Sequence, residues 1–231
     1  MVRIPTGCKC IDDTINGGIS EETVTLIYGE PETGKTTFAI QCAFNCAVNN
    51  LKVLFVDCDN TFYAKRLSQI SKNCFDEIAE RIILVKPKDF SEQTILIDHI
   101  QDYAGEKVGL IIFDTFTSLY GARVCQTSDK AFSVNRELNR QLAVLAQIVK
   151  IRKMPVIITS QVRSTFNEQY SSVRPVATRV LKFWADTIIF FKPTENFQAI
   201  KAIVEKSPDI NNEVTCYVQI GETGIQDTQF H

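Results

Sequence analysis

Residues 23–48 read TVTLIYGEPETGKTTFAIQCAFNCAV, and the organisation of the whole chain can be worked outward from them. TVTLIYG is rich in β-branched and aromatic residues, the composition of a buried strand. It breaks at Gly29 into a turn and resumes at Lys35 as a helical stretch to about Val48. The turn, Gly29-Glu30-Pro31-Glu32-Thr33-Gly34-Lys35-Thr36, matches G-x-x-x-x-G-K-[ST] in full. Its glycines let the backbone curl so that successive N–H groups point at phosphate oxygens, and the helix behind adds the positive end of its dipole. Lys35 would then reach the β- and γ-phosphates. The Thr36 hydroxyl, with Thr37 beside it, would meet a magnesium ion. A chance match in a Gly-rich loop would lack the strand before it and the helix after it. The cofactors expected are ATP and Mg2+.

On either side the chain alternates strand and helix. VLFVD (53–57), RIILVK (81–86), VGLIIFD (108–114) and MPVIITS (154–160) are near-continuous apolar runs, the pattern of parallel strands covered on both faces. Between the last two, roughly 130–152 reads as a long amphipathic helix with Leu138, Leu142, Leu145 and Val149 on one stripe. WADTIIFF (184–191), FQAIKAIVE (197–205) and EVTCYVQI (213–220) then follow with short polar links and no helix, which reads as an antiparallel meander. The fold expected is α/β: a P-loop NTPase core with a mainly parallel sheet flanked by helices and a C-terminal antiparallel meander. It should form one domain over 1–231. The stretches 120–129 and 162–176 are polar and basic and read as long loops, which in a compact domain are usually functional or disordered.

The 231 residues are 45% hydrophobic and 23% charged, ordinary for a globular protein with a sizeable core. No run approaches the roughly 18 apolar residues of a membrane span and no signal peptide is legible, so a cytoplasmic protein is expected. The net charge of −2 argues against a generic nucleic-acid coat. The charge is uneven, however. Residues 120–182 hold eleven Lys/Arg against three acids, a local +8 that leaves −10 on the rest, and suggest an anion-facing side. Eight cysteines are scattered without a C-x-x-C pair, and only His99 and His231 could join them. Cys8-x-Cys10 has no matching pair downstream, so reduced thiols, buried or idle, are expected in preference to zinc or a disulfide.

A phosphate loop needs an acid on another strand to hold the metal through water. Asp114, ending LIIFD, fits best. Asp57 and Asp59 then tip a second acid-bearing strand, expected between the P-loop strand and the Asp114 strand, where a carboxylate can serve as base for water. The fifth strand ends at Gln161, whose amide can sense a γ-phosphate; the plainer reading is a strand-end cap.

These residues resemble a family. PTGCKCIDDTINGGISEETVTLIYGEPETGKTTFAIQCA (5–43) is similar to the opening of the RecA/RadA recombinase core. VDCDNTFYAKRL resembles that family's catalytic-acid turn, ITSQV its sensor strand, and SPDINNEVTCYVQIGETGIQD its nucleotide-capping turn and last hairpin. The likeness runs from about Pro5 to Asp227. It extends to the short RadB branch of archaea, which lacks the N-terminal helix-hairpin-helix domain and polymerisation linker, and RPVATRVL (174–181) looks like a segment of that branch. The resemblance implies Asp59 as the water-activating acid and Arg66 as the group stacking on adenine. It makes 120–129 and 162–176 the DNA-contacting loops, with Arg123, Arg163, Arg174 and Arg179 as phosphate contacts. Ser207-Pro208 would cover a neighbouring subunit's nucleotide, with Lys206 as a contact in trans.

Implied partners are single- or double-stranded DNA and a RadA-type recombinase or other repair proteins, with a homo-oligomer allowed and no membrane. Two departures stand out: the family's glutamate is Asp59 here, and the glycine after it is Asn60. The shorter acid loses roughly 1.5 Å of reach, and a misplacement near 1 Å can cost about 10²-fold in rate. A weak ATPase acting as a nucleotide-gated DNA binder in recombination and repair is the expectation. The alternative is a KaiC-like single-domain signalling ATPase acting on protein partners.

Overall fold

The computed structural model describes residues 3–103, 105, 107–126, 131–167, 170–175, 177–196 and 199–228. For 163–167, 170–175 and 178 it describes the backbone alone. A short pair, β1 (Arg3–Ile4) with β2 (Ile19–Ser20), brackets α1 (Lys9–Thr14). The main sheet then begins with β3 (Val24–Gly29), followed by α2 (Lys35–Val48), β4 (Lys52–Asp57), α3 (Ala64–Ser71), α4 (Phe75–Ala79) and β5 (Ile82–Val85). Next come α5 (Phe90–Asp98), α6 (Ile100–Tyr103), β6 (Val108–Asp114), α7 (Ser118–Gln126), α8 (Ala131–Arg152) and β7 (Val156–Asn167). The chain closes with β8 (Tyr170–Pro175), α9 (Thr178–Trp184), β9 (Thr187–Pro193), β10 (Ile200–Lys206), β11 (Val214–Gly221) and β12 (Gly224–Asp227).

Across the sheet the order is β12-β11-β10-β9-β3-β7-β6-β4-β5. β5, β4, β6, β7, β3 and β9 run parallel, and β10 to β12 add the antiparallel meander. The central parallel strands are buried along nearly their whole length because helices cover both faces, which is why they read as unbroken apolar runs, whereas β5 at the sheet edge is only partly buried. On one face Phe38, Ile40, Ala43 and Cys46 of α2 pack with Ile27, Phe55, Ile112 and Phe191. On the other, Leu138, Leu142, Leu145 and Val149 of α8 meet Leu26, Leu54, Ile111 and Ile158. No described helix is long and apolar enough to cross a membrane.

Several expectations are corrected. The acid-bearing strand β4 does not lie between β3 and β6; β7 does, and β4 lies beyond β6. Most of 120–129 is helix, since α7 runs to Gln126, while 127–129 fall outside the described residues. The stretch 162–176 is largely an antiparallel hairpin of β7 and β8. It has the β-branched and aromatic composition of strand but no continuous apolar run, so it reads as loop. Trp184 ends a helix rather than starting a strand.

The cysteine reading is corrected too: Cys10 and Cys216 form a disulfide that ties α1 to β11 across 206 residues of chain. The other six are free, and four of them are buried. Burial pushes the Cys8 and Cys46 thiols up to about 12, so these are inert packing groups, as expected.

Candidate functional site

Gly34 caps α2 with φ 86°, a left-handed conformation that costs glycine nothing, and a side chain there would press on Ile220. A side chain at Gly29 would run into the carbonyl of Phe191. Gly29 is therefore demanded by a neighbouring backbone, and Gly34 by its own left-handed conformation. Lys35 is buried, and its Nζ donates to the carbonyl of Glu30 at 2.5 Å, which also accepts the Thr33 hydroxyl at 2.8 Å. Burial pushes the Lys35 ammonium down to about 8, against the pull of Asp114 and Glu30. A desolvated ammonium on a loop carbonyl, at the N-terminus of a 14-residue helix, is a group ready to exchange that carbonyl for an anionic oxygen.

Asp114 ends β6 fully buried. Its Oδ1 accepts the Thr159 hydroxyl at 2.5 Å and its Oδ2 the Thr61 hydroxyl at 3.4 Å, and Thr36 also hydrogen-bonds to it. Burial raises its pKa; the bonds from Thr159 and Thr36 oppose this, and the charges of Asp59 and Asp57 add to it. A buried carboxylate sharing a hydrogen bond with the threonine after the lysine fits a magnesium ion held by Thr36 directly and by Asp114 through water. Lys35, Thr36 and the loop amides would hold the nucleotide phosphates, and Mg2+ would supply charge neutralisation across them.

The two acids at the tip of β4 separate cleanly. Asp57 is fully buried, accepts the N–H groups of Thr61 (2.9 Å) and Phe62 (3.1 Å), and pairs with Lys86 (3.2 Å). Its carboxylate is occupied in shaping the turn. Asp59, on that turn, is half-buried and close enough for Asp114 to feel its charge. That leaves Asp59 as the candidate to act on water. Asn60 has φ 56°, the conformation that a glycine takes readily and asparagine tolerates best among the other residues. The replacement of the family's glycine is thus accommodated.

Gln161 is exposed and pairs in register with Gly29, beside the mouth of the phosphate loop. Arg66 donates to the carbonyls of Gly221 (2.9 Å) and Glu222 (3.0 Å), clasping the β11–β12 turn. Gly221 and Ile220 border a cleft of about 580 Å³ that Pro31, Glu32 and Thr33 also line. Lys206 is exposed, and its Nζ donates to the carbonyl of Ala185 in the same chain at 2.5 Å.

Thr159 and Thr61, the clamps on Asp114, were not singled out from the sequence. Thr159 lies two residues before Gln161 and so shares its face of β7, a signal that alternation alone could have supplied.

The basic stretch is partly neutralised. Arg140 pairs with Asp98 and Glu137, Lys153 with Glu22, and Lys182 with Glu205. Arg123 and Arg179 are exposed on α7 and α9. Arg163 and Arg174 occupy directly facing positions on β7 and β8.

The sheet order, the Gly-rich loop between β3 and α2 and the acid at the end of β6 define a RecA-like P-loop core. The chain belongs to the Rad51 family, whose model matches residues 1–228. It is 31% identical over 224 residues to a DNA repair and recombination protein RadB from Methanococcoides burtonii, covering 97% of each chain. It is 29% identical over 227 residues to the RadB of Methanobrevibacter smithii, covering 96% of this chain and 95% of that one. A crystal structure of the RadB recombinase superposes with a TM-score of 0.82 at 27% identity, covering 98% of this chain and all of the other.

Proposed function

We propose that this chain is an ATP- and magnesium-binding, DNA-binding protein of the RadB type, which assists homologous recombination and DNA repair and hydrolyses ATP slowly. One observation carries the reading. β7 is a single strand that pairs with β3 up to Gln161, beside the phosphate loop, and continues from Val162 into the hairpin bearing Arg163 and Arg174. The nucleotide side and the arginine side thus share one stretch of backbone, the arrangement needed for nucleotide to gate an anion-binding hairpin.

Lys35 and the loop amides hold the phosphates, Thr36 and Asp114 hold the metal, Asp59 orients water, Gln161 senses the γ-phosphate and Arg66 faces the base. DNA phosphates are taken by Arg123, Arg163, Arg174 and Arg179. Names of similar proteins support recombination and repair as the setting. The test is an electrophoretic mobility shift with single-stranded DNA, with and without magnesium and a non-hydrolysable ATP analogue. Binding that tightens with the analogue is expected. No binding in either condition would overturn the DNA reading and favour an ATPase that acts on protein partners.

A further inference from the structure

Three polar groups from three elements close on one another behind the phosphate loop. The buried Tyr28, immediately before Gly29, donates its hydroxyl to Oε1 of Glu205 on β10 at 2.6 Å. Lys182 on α9 donates to Oε2 of the same carboxylate at 2.7 Å and to the Tyr28 hydroxyl at 3.3 Å. Its Nζ also stands 5.0 Å from the centre of the Tyr28 ring, and that ring stacks on Phe190 of β9 at 4.7 Å. Burial and Glu205 push the Tyr28 pKa upward, so the hydroxyl remains a donor.

Adhesion does not call for this network. A phenylalanine at 28 would stack on Phe190 as well, and a half-buried Lys–Glu pair recovers little more than its desolvation cost. What the network supplies is direction: each oxygen of Glu205 has its own donor, so α9 has one seat relative to the end of β3. That end is rigidly coupled to its neighbour, because Gly29 packs directly on the carbonyl of Phe191. It is also where nucleotide would act. Glu30, two residues after Tyr28, gives its carbonyl to Lys35, and a phosphate competing for that ammonium releases the carbonyl and lets the loop re-form. At its other end, α9 follows β8 with residues 176–177 between them, so a change in its seat is passed to the arginine hairpin.

The geometry points to Tyr28, Lys182 and Glu205 as positioning residues that relay occupancy of the phosphate loop to α9 and the β7–β8 hairpin. The relay rests on the nucleotide reading proposed above. A physical claim of coupling requires that both ends bias one element, here α9. The chain contains one tryptophan, Trp184, at the end of that helix, with its Nε1 on Asn139 of α8 at 2.9 Å. Its emission therefore reports the seat of α9 without any label and without DNA.

The experiment titrates the whole chain with magnesium and adenylyl imidodiphosphate, following Trp184 emission and, separately, binding heat. The wild type should bind and change its emission. Lys182→Met and Tyr28→Phe should bind within about threefold of wild type and lose most of the emission change. They should also show single-stranded DNA affinity that no longer responds to the analogue. An emission change that persists in both variants, or wild-type binding with no change at all, overturns the relay. So does a parallel loss of affinity and signal, which would make the network a mere prop of the site. If wild type gives no binding heat, the nucleotide reading itself falls, and calorimetry reports that outcome independently of the emission.

Discussion

Asp59 is one methylene shorter than the glutamate that the family resemblance implies for a water-activating acid, while Asp57, the other acid on the strand end, is locked into the turn by two backbone N–H groups and Lys86. Asp59→Glu should therefore raise the steady-state ATPase rate, by up to about 10²-fold if reach alone is limiting. Nucleotide affinity should stay put, because Lys35 and Thr36 are untouched. Asp59→Asn should lower the rate. Phosphate release measured on both variants decides this, and no change in either would remove Asp59 from the reaction.

Lys35 offers a pH test that needs no ligand. Its folded pKa is about 8 against an ordinary 10.5, so in this range the unfolded chain holds the proton more tightly. Stability from this group is present above pH 10.5, and is lost as pH falls through 8; the difference is at most roughly 3 kcal/mol. Lys35→Met should flatten the rise in urea midpoint between pH 8 and 10.5 relative to wild type. Parallel curves would mean that the lysine is better solvated than its burial implies.

Among the elements, the β7–β8 hairpin places two arginines of the basic stretch at one level of its ladder. Arg163 and Arg174 hold facing backbone positions, and Arg140, Lys153 and Lys182 pair with acids elsewhere in the chain. Replacing Arg163 and Arg174 by Gln should weaken single-stranded DNA binding and reduce the log–log salt slope by about 0.7 for each phosphate no longer neutralised. Replacing Arg140 should leave that slope unchanged. The measurement is affinity against salt concentration; equal slopes in all variants would move the DNA-binding surface away from the hairpin. Neither the hairpin nor α7 was legible as structure, because each lacks the apolar periodicity that marks elements packed on a core. Tyr120 is the single buried residue of α7.

For the molecule as a whole, the disulfide between Cys10 and Cys216 joins the first helix to the last hairpin. Asp227 on β12 reinforces the join by accepting the N–H groups of Lys9 and Cys10, at 2.7 and 3.0 Å. Gln41 does so from α2, bridging Thr6 and Ile225. Closing a loop that spans a sequence separation of 206 residues restricts the unfolded chain by about 5 kcal/mol. Reduction, or Cys10→Ser, should lower the melting temperature by on the order of 10 °C. Thiol labelling of the unreduced, denatured protein should find six free cysteines rather than eight. Labelling of all eight, with no thermal effect of reductant, would refute the bond.

The phosphate loop, its flanking strand and helix, Asp114 and the parallel core were determined by local sequence. Each is a contiguous pattern whose physics is local: backbone amides around glycine, a dipole at a helix start, and apolar runs that admit only burial on both faces. The separation of Asp57 from Asp59, the clamps of Thr61 and Thr159 on Asp114, the facing arginines, the Cys10–Cys216 bond and the Tyr28–Lys182–Glu205 network awaited the folded structure. Each joins residues that are anonymous in their own segments. Their partners are chosen by strand order and register, and those follow from packing the whole chain, because no stretch of it carries its neighbours' coordinates.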